Sequence, residues 1–259
     1  MKAVNISSRK NQIVKEASAL LDSSENRRRA GAYLIEGARL IEDAAKSGTK
    51  ILRLFYTSGA YEKYGGYISA AREKCEEEFV LEPHVSDLLS STKSSQGVFA
   101  VCSMPAENRD LKPKGKIVVL ENIQDPSNMG TMLRAAEAMG INTIVLSGSC
   151  CDIYSPKVLR GSMGAVFRLC FVHIAAGAAG FLKSSGYKVY GSVPYMWAEK
   201  ITDIDFTETS AVIIGNEGSG ITEETKEECD LLITIPMKGR AESLNAATAA
   251  AVIMWEMVK

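Results

Sequence analysis

Histidine is almost absent from this chain: His84 and His173 are the only two among 259 residues, and neither stands near a nucleophile motif. That scarcity argues against a Ser-His-Asp or Cys-His enzyme and against a histidine-rich metal centre. Six cysteines occur, at positions 75, 102, 150, 151, 170 and 229, but no C-x-x-C pair does, and only Cys150 and Cys151 adjoin. Neither a zinc site nor a disulfide framework is indicated, so reduced, buried thiols are expected and no metal. No apolar run reaches the length of a membrane span, and the opening MKAVNISSRKNQIVKEA lacks the apolar centre of a secretion signal. A cytoplasmic protein without a membrane partner is expected. An excess of one charge is lacking too, since 30 Lys and Arg face 31 Asp and Glu.

What is present is enough apolar sequence, 46% of residues, to build one large or two ordinary domain cores. The charge is also unevenly spread. Residues 1–30 carry Lys2, Arg9, Lys10, Lys15, Arg27, Arg28 and Arg29 against Glu16, Asp22 and Glu25. Such an end suits a phosphate backbone, and equally a solvated helix face followed by a polar loop. Ile13, Val14, Ala17, Leu20 and Leu21 fall at helical spacing, and AYLIEG, ILRLFYT, EFVLEP and GVFAVCS read as strands with helical segments such as GARLIEDAAKSG between them. The spacing predicts a small α/β domain over residues 1–105. The stretch MPAENRDLKPKGK has two prolines and no apolar rhythm, which places a linker at 106–115. The third segment, 116–259, opens with KIVVLEN and continues with TIVLSG, YKVYGSV, SAVIIGN and LLITIPM, separated by helical patterns. Short continuous apolar runs alternating with helices predict a mostly parallel sheet covered on both faces.

Ligands on such sheets sit beyond the carboxyl ends of the strands, and three of these strand ends are unusual. They read ENIQDPSNMG, then NEGSGIT, then MKGRAESLNAATAAAVIMWE, each rich in Gly, Asn, Ser and acidic residues. With Asn128 as helix cap, Met129, Met132, Leu133, Ala136 and Met139 form one apolar stripe. Arg134 then lies opposite it among the small residues Thr131, Ala135 and Ala138. By periodicity alone Arg134 is a solvated surface residue. GNEGSG has the spacing G-x-x-G-x-G, not the dinucleotide fingerprint, and no Lys-Ser/Thr follows to make a phosphate loop. A glycine-rich turn accounts for it, and Ser243 or Asn245 could simply cap the last helix.

Together, DPSNMGTMLRAAEAMG, IIGNEGSGI and IPMKGRAESLNAATAAAVIMWE resemble, in order, the three motifs of the SpoU/TrmH group of SPOUT RNA ribose methyltransferases. SMGAVFR fits the same group. YLIEGARLIEDAAKSG and STKSSQGVFAV are similar to the L30e-like substrate-binding domain often fused to these enzymes, except that a proline is expected before Gln96. The resemblance implies an α/β protein with a small N-terminal L30e-like domain and a C-terminal SPOUT domain folded as a trefoil knot. It implies methyl transfer from S-adenosylmethionine to a ribose 2′-hydroxyl of RNA, 23S ribosomal RNA being favoured over tRNA, by a homodimer joined through the C-terminal domain. The cofactor loops it implies contain Ser192, Val193, Gly215, Asn216, Gly218, Gly220, Ile235, Met237, Ser243 and Leu244. Arg134, Asn128, Glu217, Ser243 and Asn245 match the polar positions of the motifs. Arg134 would hold the phosphate beside the reacting ribose, Asn128 and Glu217 would fix Arg134 and the substrate, and Ser243 and Asn245 would hold the cofactor loop and ribose. Arg9, Lys10, Arg27, Arg28 and Arg29 are the candidate RNA contacts. Two rival readings are a non-enzymatic RNA-binding protein that keeps the fold, and a nicotinamide-dependent oxidoreductase, against which the missing fingerprint argues.

Overall fold

The computed structural model describes residues 3–105 and 115–259; Lys2 and all of the expected linker except Gly115 lie outside them. The chain divides into two compact units, Met1–Pro105 with Tyr154–Phe167, and Ala106–Ile153 with Arg168–Lys259. The segment Tyr154–Phe167 thus crosses the boundary expected from sequence. The Tyr154 ring stacks on Tyr33 at 4.6 Å, and the helix α7, Pro156–Ser162, packs against the strand Ala32–Glu36.

In the first unit β1 (Val4–Ile6), β2 (Ala32–Glu36), β3 (Ile51–Thr57), β4 (Cys75–Leu81) and β5 (Val98–Ser103) form one sheet in the order β1-β4-β3-β5-β2. The β1–β4 and β3–β4 pairs are parallel, and β2–β5 and β3–β5 are antiparallel. Phe55 stands opposite both Phe79 and Phe99. The three rings are buried and seed the core, each worth about 1.5–3 kcal/mol of apolar transfer. Five helices complete these hundred residues: α1 (Gln12–Asp22), α2 (Ser24–Ala30), α3 (Ala38–Lys46), α4 (Ser58–Arg72) and α5 (Pro83–Ser86). The side chain of Asn11 caps α1 at Ile13 N–H, and Val14, Ala17 and Leu20 are its buried stripe, as the spacing predicts.

The second unit holds β6 (Ile117–Glu121), β7 (Thr143–Ser147), β8 (Cys170–Ile174), β9 (Lys188–Ser192), β10 (Glu199–Lys200), β11 (Ser210–Ile214) and β12 (Leu231–Thr234). They form a seven-stranded sheet in the order β10-β12-β9-β11-β6-β7-β8, and every pairing is parallel. The central strands β6 and β11 are buried along their whole length, as a sheet covered on both faces requires. Ile117, Val119, Val189, Ala211 and Ile213 point to one face, against Ala178, Ala179 and Leu182 of α8 (Ala178–Ser184). Their alternates Val118, Leu120, Val212 and Ile214 are equally buried on the other. The remaining helices are α6 (Pro126–Ala138), α9 (Glu223–Glu228) and α10 (Ala246–Val258), with α10 packed on α6. None of the helices among the described residues is long and apolar enough to cross a membrane.

Candidate active site

In the sheet of the second unit β12, β9, β11 and β6 are successive neighbours running the same way. The segments that leave their carboxyl ends therefore emerge along one edge, and all three motifs belong to those segments. Sequence separation of about a hundred residues is cancelled by strand order.

The β6 end is held by two side chains. Glu121 is 6% exposed, and its carboxylate accepts hydrogen bonds from Thr222 N–H at 3.0 Å and from the Thr225 hydroxyl at 2.5 Å. A buried acid thus anchors the start of α9. Asn122 follows with φ +54, a left-handed conformation uncommon outside glycine. Its Oδ1 accepts from Ser149 N–H at 2.8 Å and its carbonyl from the Asn216 amide at 2.8 Å. Position 148 favours glycine, because its φ is +64 and a Cβ would stand 2.3 Å from Asn122 Oδ1.

Asn216 organises the turn after β11. Its backbone exchanges two 3.0 Å hydrogen bonds with Gly220, and its Oδ1 accepts from Gly218 N–H and Ser219 N–H. A Cβ on Gly215 would lie 2.1 Å from the Gly220 carbonyl carbon, so the two backbones meet with no room for a side chain. At the tip, the Glu217 carboxylate accepts from Asp125 N–H and Asn128 Nδ2, both at 3.1 Å, and from Gln124 N–H at 3.3 Å. Partial burial alone would raise its pKa. The hydrogen bonds from Asn128, from its own backbone and from the Asp125 and Gln124 N–H groups outweigh that effect and hold it below the usual carboxylate value.

The same bonds continue in one direction. Asn128 gives its amide hydrogen to Glu217, and its Oδ1 accepts from Asn245 Nδ2 at 3.0 Å. Asn245 Oδ1 in turn accepts from Ala247 and Thr248 N–H and caps α10. Glu217, Asn128 and Asn245 thus form a relay that ties all three motifs together. The ionised carboxylate at one end and the helix N–H groups at the other leave each amide one orientation.

Several expectations change. The N-cap of α6 is Asp125, not Asn128, because Pro126 with its fixed φ already occupies the first helical position. Asn128 is thereby freed to face Glu217. Among the described residues no hydrogen bond or ion pair joins Arg134 or Ser243 to the relay; both are exposed. Glu217 and Asn128 fix each other and Asn245, and do not fix Arg134. Met129, Met132, Leu133 and Ala136 are buried as expected, which turns Arg134 outward. Ser192 ends β9 half-buried and Val193 is buried, its N–H bonded to Ile233 O. Ile235 and Leu244 are half-buried and Met237 is 38% exposed. Of the basic candidates Arg9, Lys10, Arg28 and Arg29 are exposed, but Arg27 is not: it is buried and donates to Leu20 O at 2.6 Å. A buried guanidinium bonded to the main chain of α1 is not open to a nucleic acid. Asn122 and Glu121 went unread in the sequence, and their signal was an acid and an amide directly at a strand end.

Residues 115–255 match the SpoU rRNA Methylase family, and residues 11–100 match the MRM3-like substrate binding domain. The chain belongs to the SpoU rRNA methylase family. This SpoU protein is 33% identical to the 23S rRNA (guanosine(2553)-2′-O)-methyltransferase RlmP of Bacillus subtilis, over 97% of this chain and 98% of that one. It is 31% identical to the 23S rRNA (uridine(2479)-2′-O)-methyltransferase of Streptomyces viridochromogenes, over 93% and 87% of the two chains. Among solved structures, the AdoMet-bound rRNA methyltransferase of Sinorhizobium meliloti superposes with a TM-score of 0.86 at 26% identity, covering 98% of this SpoU chain and 97% of that one.

Proposed function

We propose that this protein transfers a methyl group from S-adenosylmethionine to a ribose 2′-hydroxyl of 23S ribosomal RNA. The observation that carries the reading is the Glu217–Asn128–Asn245 relay, which makes one hydrogen-bonded unit of three motifs far apart in a SpoU sequence.

The segment from Ile235 to Leu244 fits the cofactor. Among the described residues its backbone makes no internal hydrogen bond, and Met237 and Ile235 offer apolar surface beside those open N–H and C=O groups. A nucleoside is recognised by such main-chain donors and acceptors with apolar walls. Ser192, Val193, Gly215, Asn216, Gly218, Gly220, Ile235, Met237, Ser243 and Leu244 would hold S-adenosylmethionine, and the knot of the family would be threaded through these same segments. When bound, the cofactor supplies an electrophilic methyl group on sulfonium sulfur. Displacement at that carbon is in line, so the protein's task is alignment in a site shielded from water.

The relay performs the alignment by fixing the α6 start, the β11 turn and the α10 start against each other. Arg134, exposed and without a partner among the described residues, is a cation open to the substrate. It stays protonated and is no base. Its role is to grip the phosphate next to the reacting ribose and lower the cost of the developing alkoxide. The protein works as a homodimer through its C-terminal unit. Supporting this, Val252 and Trp255, one helical turn apart on α10, are 37% and 62% exposed.

The test is transfer of labelled methyl from S-adenosylmethionine to unmodified 23S ribosomal RNA and, separately, to tRNA, followed by digestion to nucleosides. Label in a 2′-O-methyl nucleoside of the ribosomal RNA is expected. Label only from tRNA would change the substrate, and no label together with no cofactor binding would overturn the enzymatic reading.

A further inference from the structure

The first unit contains a cavity of about 530 Å³ that the reaction does not use. It opens between the start of α3, the segment 92–96 and the α7 end, where Tyr154–Phe167 folds onto this unit. Its walls carry both charges, but not on equal terms. Glu36 is bound inward by the Ser90, Ser91 and Thr92 hydroxyls and by Ser91 N–H. Glu42 is paired with Lys46 at 2.8 Å, and Asp43 has its own partner. Arg39, by contrast, is exposed and has no partner among the described residues, and Arg160 donates only to the neutral Ser91 hydroxyl. The wall carries three acids and three bases, and of the bases Arg39 and Arg160 are the two without a carboxylate partner among the described residues. Gln96 spends its Oε1 on Ala38 N–H at 2.9 Å, which leaves its amide hydrogens as donors at the mouth.

A second, independent feature is Met163. It caps α7 with φ +48, where glycine is the usual residue, and one of only two such non-glycine residues among those described is thus spent on a side chain that is 58% exposed at the cavity. A turn alone needs no side chain there. A flexible, polarisable thioether beside Leu40 supplies an apolar face on which a flat ring can lie.

We infer that this cavity receives an unpaired nucleotide of the RNA substrate, its base against Met163 and Leu40 and its phosphates on Arg39 and Arg160. Cavity volume, two guanidinium groups without a carboxylate partner, an amide donor and an exposed apolar face match the parts of one nucleotide. The inference rests on RNA being the substrate. It also moves recognition by this unit from the α2 arginines to residues separated by 121 positions in sequence, because Arg160 lies outside the first hundred residues and reaches the cavity only with α7.

The experiment measures affinity of the full-length protein for a ribosomal RNA fragment by filter binding over a range of salt, with turnover measured in parallel. Arg39→Gln and the double variant Arg39→Gln/Arg160→Gln are compared with Met163→Gly, which suits the backbone at that position. The double variant is expected to weaken RNA binding about tenfold or more and to flatten the slope of log affinity against log salt by about 1.5, as loss of two phosphate contacts requires. KM for RNA should rise while kcat and cofactor affinity stay unchanged. Arg39→Gln breaks no contact among the described residues, so its share of the loss reports on RNA and not on folding. RNA affinity and salt slope equal to wild type in Arg39→Gln and in the double variant would overturn the site. Because binding is read without methyl transfer, failure of the wild type to methylate any RNA would sink the enzymatic reading and leave this test standing.

Discussion

Glu217 gathers four polar hydrogens on one carboxylate, from Gln124, Asp125, Asn128 and Asn216. Its pKa in the folded protein lies below the ordinary carboxylate value despite partial burial. The sign follows: ionised Glu217 stabilises the folded chain above the ordinary value, and that stabilisation disappears as pH falls through the lowered one. Between about pH 5 and about pH 3 the wild-type Tm should fall more steeply than that of Glu217→Gln, and parallel curves would deny Glu217 this role. At neutral pH the same variant places an NH2 group against N–H donors and disorders the relay. Turnover is expected to fall about tenfold to a hundredfold, with a smaller loss in cofactor affinity, a difference to be read from kinetics and calorimetry. Equal losses in both would make Glu217 a structural turn residue. Arg134 tests the other half of the site. Its side chain makes no internal bond among the described residues, so Arg134→Lys should leave stability within about 0.5 kcal/mol of wild type. Turnover should nonetheless drop about tenfold or more, because an ammonium lacks the fork that grips a phosphate. Full turnover in this variant would remove Arg134 from the reaction.

At the scale of elements, the β11 turn separates two glycines that look alike in GNEGSG. Gly215 faces the Gly220 backbone, whereas a Cβ on Gly218 would meet only Asn216 Oδ1, at 3.6 Å. Gly215→Ala must push main chain apart, which is expected to cost about 1–3 kcal/mol by denaturant unfolding and to abolish measurable cofactor binding. Gly218→Ala should fold as wild type; similar loss in both would mean that the turn is not held by close backbone approach. Such differences mark what the sequence could disclose. The runs KIVVLEN, TIVLSG and SAVIIGN were legible as β6, β7 and β11 because strands buried on both faces need unbroken apolar residues. β1 was not legible, having three residues of which two are exposed, nor was β8, where only Val172 is buried. Motif order pointed to Asn128, Glu217 and Asn245, which the structure brings together, but not to who bonds whom. Asn128 read as a cap until Pro126 placed the helix start at Asp125, and Arg27 read as one of three equal arginines until α2 turned it towards Leu20 O. Those outcomes depend on helix phase and on contacts between elements, which spacing alone leaves open.

For the whole molecule, the unassigned surface of α10 sets the remaining question. Ala247, Ala250, Ile253, Met254 and Met257 form its buried stripe, while Val252 and Trp255 stay at the surface. One large ring exposed by itself is ordinary, but here the aromatic and the β-branched residue share a helix face on the unit that carries the relay. An interface between two copies of this chain would bury that face and restrict the approach of RNA to each relay. Trp255→Glu puts a charge where such an interface needs apolar area, without touching the buried stripe. The variant should therefore keep its secondary structure and melt near the wild-type Tm. In light scattering after gel filtration it should shift from the mass of two chains to that of one, and methyl transfer should fall with the dimer fraction. A wild-type protein that already runs as a single chain would refute the dimer. A variant that stays dimeric with full turnover would place the interface on another face of the second unit, and would leave Trp255 as surface that the fold does not need.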